Sequence, residues 1–151
     1  MILVFMSNPS QLLSADSNFM TDTIPETPKT VLVVEDDKFL RDIVVNHLEK
    51  AGYTVISAVT GEEALRVASQ THPDLIILDI VLSGINGLDV ISRLRQEEAT
   101  KNIPFIVFSN SDEMASVNRG NNLGAVKYLV KALSTPEQIV HEVKEFFARP
   151  V

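Results

Sequence analysis

The sequence predicts an α/β domain in which a doubly wound, five-stranded parallel sheet is flanked by five helices. Three observations carry that prediction. From Lys29 onward, short apolar runs alternate with stretches of helical spacing, the signature of strand–helix–strand units. The strongest runs are continuously apolar, as fits strands buried on both faces. Helix starts and stops fall between them, and right-handed crossovers then put helices on both faces of the sheet.

Each element has its own warrant. Thr30–Val34 is a short β-branched strand. Phe39, Leu40, Ile43, Val44 and Leu48 recur at helical spacing, and Gly52 supplies the stop. Tyr53–Ala58 is a second, weaker strand. Thr60-Gly-Glu-Glu63 has the form of a capping box and opens a helix through about Gln70. Asp74–Leu78 is the third and most apolar strand, and Leu88, Ile91 and Leu94 mark the third helix. Pro104–Phe108 is the fourth strand. Asp112–Asn122 is a weak fourth helix, because Asn118, Gly120, Asn121 and Asn122 all have low propensity. Ala125–Val130 is the fifth strand. Ser134-Thr-Pro-Glu137 reads as a second capping box, opening a last helix with Ile139, Val140, Val143, Phe146 and Phe147 inward.

Residues 1–28 differ in texture. They hold Asp16, Asp22 and Glu26, no Lys or Arg, and no sustained period. The expectation is a disordered leader, with a docking arm through Ile2–Phe5 as the alternative, followed by one domain over residues 29–151.

Composition narrows the function classes. The chain has 151 residues, 13 Lys and Arg against 20 Asp and Glu, and a net charge of −7. That balance argues against direct nucleic-acid binding, which needs a basic footprint. The absence of Cys excludes disulfides, thiolate metal sites and a Cys nucleophile. The longest unbroken apolar run, Met1–Met6, is too short to span a bilayer or to serve as a signal peptide, so a cytoplasmic placement with no membrane partner is expected. His47, His72 and His141 are scattered and read as surface or capping residues.

In such sheets ligands bind beyond the carboxyl ends of the strands. The first strand ends into Glu35, Asp36 and Asp37, the third into Asp79, the fourth into Ser109 and the fifth into Lys131. Clustered carboxylates repel one another unless a cation lies among them. An oxygen-only ligand set points to Mg²⁺ rather than Zn²⁺. Metal, ammonium, hydroxyl and a central carboxylate together suit phosphoryl transfer to a carboxylate nucleophile. Taken singly, Asp37 reads as the cap of the first helix, Ser109 as a cap for the fourth and Lys131 as a solvated end. Their joint occurrence at successive strand ends favours a site.

Val33-Val34-Glu35-Asp36-Asp37, Leu78-Asp79-Ile80, Asn86-Gly87, Ser109, Tyr128 and Lys131 occur in one order, with 30 positions from Asp79 to Ser109 and 22 from Ser109 to Lys131. On these residues, the chain from about Lys29 to Arg149 resembles the receiver domain of two-component response regulators. The resemblance implies a flavodoxin-like, CheY-like sheet in the order 2-1-3-4-5. It implies that Asp79 accepts a phosphoryl group from a sensor histidine kinase or a histidine phosphotransfer protein. Mg²⁺, with Mn²⁺ as a substitute, would be held by Glu35, Asp36, Asp79 and the Val81 backbone carbonyl. Lys131 would pair with the acylphosphate, Ser109 would hydrogen-bond the phosphoryl group, and Tyr128 would change rotamer as Ser109 moves. The surface of fourth helix, fifth strand and fifth helix would bind a downstream protein. The protein would be a signalling phosphoacceptor rather than an enzyme, a stand-alone receiver, and a monomer or a weak phosphorylation-dependent dimer.

Two positions depart from the family pattern: Ser83 and Ala132 stand where prolines are usual. A cis bond before Ala costs ~2.5–4 kcal/mol, so Lys131–Ala132 is expected to be trans, shifting the ammonium. A pseudo-receiver that binds proteins without being phosphorylated is the alternative reading. A flavin carrier is disfavoured because three acids, not a Gly- and hydroxyl-rich loop, follow the first strand. An aspartyl phosphatase is disfavoured because Val81 stands where a second Asp is commonly found.

Overall fold

The structure, a computed structural model, describes residues 27–149. All but the last two residues of the expected leader, and with them the Ile2–Phe5 arm, lie outside the described residues. In chain order the elements are β1 (Thr30–Val34), α1 (Lys38–Lys50), β2 (Thr54–Ala58), α2 (Gly61–Thr71), β3 (Leu75–Leu78), α3 (Gly87–Leu94), β4 (Phe105–Ser109), α4 (Met114–Asn122), β5 (Lys127–Val130), a 3₁₀ turn (Lys131–Leu133) and α5 (Pro136–Ala148). The five strands form one sheet in the order β2-β1-β3-β4-β5, and every pairing is parallel. This is the predicted doubly wound α/β architecture.

Alternation along each strand sorts side chains onto two faces. Leu32, Val34, Ile76, Leu78, Phe105 and Val107 pack with Ala64, Val67 and Ala68 of α2 and with Leu88, Ile91 and Leu94 of α3. Val31, Val33, Leu75, Ile77, Ile106 and Phe108 pack on the other side with Val44 and Leu48 of α1 and Ile139 and Val143 of α5. The central strands are buried on both faces, which is why they carry no polar alternation. Burying each such Leu, Ile or Phe contributes ~1.5–3 kcal/mol. The edge strands β2 and β5 are partly exposed.

Local chemistry sets the element ends. Asp37 caps α1 by accepting the Leu40 N–H at 2.9 Å. Gly52, with φ 101°, takes the left-handed turn after that helix. Thr60 accepts from the Glu63 N–H, while the Glu63 carboxylate reaches the Val59 N–H instead of the Thr60 N–H. His72, with φ 47°, is the left-handed C-cap of α2. The last helix starts one residue later than expected. Thr135, not Ser134, is its N-cap, and the reciprocal box is Thr135 with Gln138. Pro136 is the reason: proline suits the first helical position, and the residue before it is held extended, the conformation of a cap. α4 begins at Met114 rather than Asp112, and β5 at Lys127 rather than Ala125. α4 lacks a side-chain cap, and Gly120 is its buried residue, set against the Tyr128 ring.

The register aligns the carboxyl ends. Val34 sits beside both Ala58 and Leu78, Leu78 beside Val107, and Ser109 beside Val130. Glu35, Asp79, Ser109 and Lys131 therefore meet at one edge of the sheet. Among the described residues no helix is long and apolar enough to cross a membrane.

Candidate functional site

Asp79 follows the last residue of β3, is 5% exposed and accepts hydrogen bonds on both carboxylate oxygens. Ser109, the fully buried end of β4, donates its hydroxyl to Oδ1 at 2.6 Å, and the Val81 N–H donates to the same oxygen at 3.1 Å. Lys131, at the start of the 3₁₀ turn, places its ammonium 2.6 Å from Oδ2 and 2.6 Å from Oε1 of Glu35. The Lys131–Ala132 bond is trans, since the described residues contain no cis peptide, and the ammonium remains within hydrogen-bond distance of Asp79.

Glu35 is also buried, and its second oxygen accepts the Asp37 N–H at 3.1 Å. Asp36 is exposed. Carboxylate oxygens of Glu35, Asp36 and Asp79 lie within 4.8 Å of one another. Burial lifts the Glu35 carboxyl above its ordinary value, more than the Lys131 ammonium and the Asp37 N–H lower it. For Lys131, burial favours the neutral form, but the bonds to Asp79 and Glu35 outweigh it and hold the ammonium above the usual lysine value. When ionised, three carboxylates face one ammonium, a net of minus two. An oxygen-only set with that residual charge fits a hard divalent cation such as Mg²⁺.

The supporting shell explains why particular residues stand nearby. Asn86 caps α3 by accepting the Leu88 N–H at 2.8 Å. A Cβ at Gly87 would collide with the Asp79 carbonyl and with Ile80, so only glycine allows this helix to start so close to Asp79. Asp37 is the helix cap that its place before α1 predicts. Ser109 is not a cap: its hydroxyl is spent on Asp79, and α4 starts at Met114 without one. Tyr128 is not in contact with Asp79 through a hydrogen bond. Its hydroxyl donates to the Ser111 carbonyl at 2.5 Å, two residues beyond Ser109, and burial raises its pKa.

Sequence reasoning missed two residues. Arg41 donates to the Glu35 carbonyl at 2.8 Å and to the Asp36 carbonyl at 3.4 Å, fixing the main chain of the acidic loop. Its signal was an arginine in the first turns of α1, where the helix dipole disfavours a cation. Asn110 accepts the Ala132 N–H at 3.0 Å; an asparagine after a strand gives no comparable signal.

Comparison with known proteins adds a second line. Residues 31–144 match the response regulator receiver domain family. The alkaline phosphatase synthesis transcriptional regulatory protein PhoP of Bacillus subtilis (strain 168) is 36% identical over 121 residues, covering 80% of this chain and 49% of PhoP. The phosphate regulon transcriptional regulatory protein PhoB of Pseudomonas aeruginosa is 34% identical, covering 80% and 52%. The chain spans about half the length of the curated relatives it matches. Among solved structures, the Vibrio cholerae chemotaxis protein CheY4 is similar with a TM-score of 0.73 at 28% identity, covering 79% of this chain and 98% of that one. The non-phosphorylated HemR receiver domain of Leptospira biflexa gives 0.73 at 28%, covering 83% and 99%.

Proposed function

This chain belongs to the response regulator receiver domain family of two-component systems, and on that premise we propose that Asp79 is a phosphoryl acceptor whose modification switches a protein-binding surface. The observation that carries the proposal is the grip on Asp79: a buried hydroxyl on one oxygen and a half-buried ammonium, shared with Glu35, on the other.

Glu35, Asp36 and Asp79, together with the Val81 backbone carbonyl, would hold Mg²⁺, with Mn²⁺ as a substitute. When bound, the cation neutralises negative charge on the transferring group. The chain's own residues do the rest. An Asp79 oxygen forms the bond to phosphorus as the bond to the donor's imidazole nitrogen breaks, and the imidazole leaves neutral after gaining a proton from solvent. The donor is a sensor histidine kinase or a histidine phosphotransfer protein. Lys131, kept charged by its carboxylate partners, transfers an ammonium bond to a phosphoryl oxygen. Ser109 donates to another. These groups are already aimed, so little reorganisation is needed as charge develops.

The modification replaces the single negative charge of the carboxylate by a phosphoryl group of about −1.5 to −2 and adds strong acceptors. Ser109 gains a new partner only in the phosphorylated state, so it can bias two conformations. Tyr128 lies next along the path, hydrogen-bonded to Ser111 and stacked near Gly120 of α4. The surface of α4, β5 and α5 is therefore the proposed readout for a downstream protein. The protein acts as a signalling switch, not as an enzyme with a separate substrate, in the cytoplasm, as a monomer or a phosphorylation-dependent weak dimer.

Incubation with acetyl phosphate and Mg²⁺ tests the proposal. Intact mass should rise by one phosphoryl group in the wild-type chain and not in Asp79→Asn. An unmodified wild type beside a competent donor favours the pseudo-receiver reading.

A further inference from the structure

The β4–β5 ladder ends at the pair Ser109 and Val130. One step further on, the main chain no longer pairs. The Asn110 side chain takes over, its Oδ1 accepting the Ala132 N–H at 3.0 Å. The residues joined this way are the immediate neighbours of Ser109 and Lys131, the two that hold opposite oxygens of Asp79. The contact closes a ring through Asp79, Ser109, Asn110, Ala132 and Lys131.

The ring has a physical purpose. Lysine reaches Asp79 and Glu35 through a long, rotamer-rich stem, and holding its ammonium on both costs entropy unless the backbone below is fixed. The 3₁₀ turn that begins at Lys131 has no side-chain cap, and Leu133 within it is 79% exposed. The bond from Ala132 to Asn110 is thus a tie between this turn and the loop after β4. It needs a residue with an N–H at 132 and a short carbonyl-bearing side chain at 110.

We propose that Asn110 is a positioning residue for Lys131: by accepting the Ala132 N–H it fixes the turn that keeps the ammonium on Asp79. The role rests on the reading of Asp79 as phosphoryl acceptor. It predicts that losing the Asn110 carbonyl slows phosphorylation without touching any group that contacts the phosphoryl donor.

The test is a double-mutant cycle on the full chain, with acetyl phosphate and saturating Mg²⁺ as donor mixture and phosphorylation rate as readout. Asn110→Ala should slow the rate about 3- to 10-fold, in line with one lost hydrogen bond. In an Ala132→Pro background, where no N–H remains, the same substitution should change the rate less than about twofold. Equal losses in both backgrounds, or a wild-type rate in Asn110→Ala, overturn the role. The Ala132 amide proton resonance reads the contact independently of the proline variant. An upfield move in Asn110→Ala, together with the slower rate, supports the tie, and an unmoved resonance overturns it. A wild-type chain that takes up no phosphoryl group overturns the acceptor reading instead, whatever the Ala132 resonance does.

Discussion

Replacing Lys131 by Met removes the one ammonium set between two buried carboxylates. Its nitrogen lies 2.6 Å from an oxygen of each. At an effective dielectric of about 20, each contact is worth roughly 6 kcal/mol of attraction, while Glu35 and Asp79, within 4.8 Å of each other, repel by roughly 3 kcal/mol. The desolvation already suffered by all three offsets most of the attraction, so the whole cluster adds little net stability. Breaking it from one side is different, because two buried charges lose their partner. The expected loss is about 3–5 kcal/mol at neutral pH without divalent ions. With a urea slope of about 2 kcal/mol/M, the midpoint falls by about 1.5–2.5 M. Urea titration followed by far-UV circular dichroism measures it. Adding Asp79→Asn should recover most of the loss, and Mg²⁺ should stabilise Lys131→Met more than the wild type. A loss below about 1 kcal/mol, or one that Asp79→Asn does not relieve, refutes Lys131 as the counter-charge of this pair.

Three further outcomes follow from the same geometry. Lys131 is held above its ordinary 10.5 in the folded chain, so its pairing contributes fully below about pH 10.5 and is lost as pH rises through the folded value. The stability gap between wild type and Lys131→Met should hold steady from neutral pH to about 10 and close above it, as urea midpoints across that range would show. Asp37→Ala should cost about 1 kcal/mol, the worth of an N-cap, yet leave the acetyl phosphate rate within about twofold, which separates a structural acid from the two beside it. Gly120→Ala should stabilise α4 by up to about 1 kcal/mol in thermal unfolding, because the new methyl meets the Tyr128 ring at an ordinary 3.5 Å; amide exchange over Asn118–Asn122 should slow with it.

What the sequence made legible was what periodicity encodes. β1, β3 and β4 stand out because strands buried on both faces are apolar along almost their whole length, and the residues that follow or end the strands point to Glu35, Asp79, Ser109 and Lys131. α4 reads as marginal because Asn118, Gly120, Asn121 and Asn122 are poor helix formers, and the fold gives Gly120 no steric reason, since a methyl there meets the Tyr128 ring at an ordinary 3.5 Å. Ser134 was mistaken for a cap because its spacing to Glu137 fits the box, whereas the constraint of Pro136 on Thr135 decides the matter. Contacts made across the sheet edge were out of reach. Nothing in the order of residues says that Lys131 bridges Glu35 as well as Asp79, or that Asn110 finds the Ala132 N–H 22 residues away. Those depend on strand register, a property of the assembled sheet.

The most direct measurement is chemical localisation of the modified carboxylate. After reaction with acetyl phosphate and Mg²⁺, borohydride reduces an aspartyl phosphate to homoserine, and peptide mass mapping identifies the position. Homoserine at residue 79, and at no other acid, is the predicted result. Homoserine at residue 36 or 37, or none anywhere in a chain that binds Mg²⁺, would contradict the account.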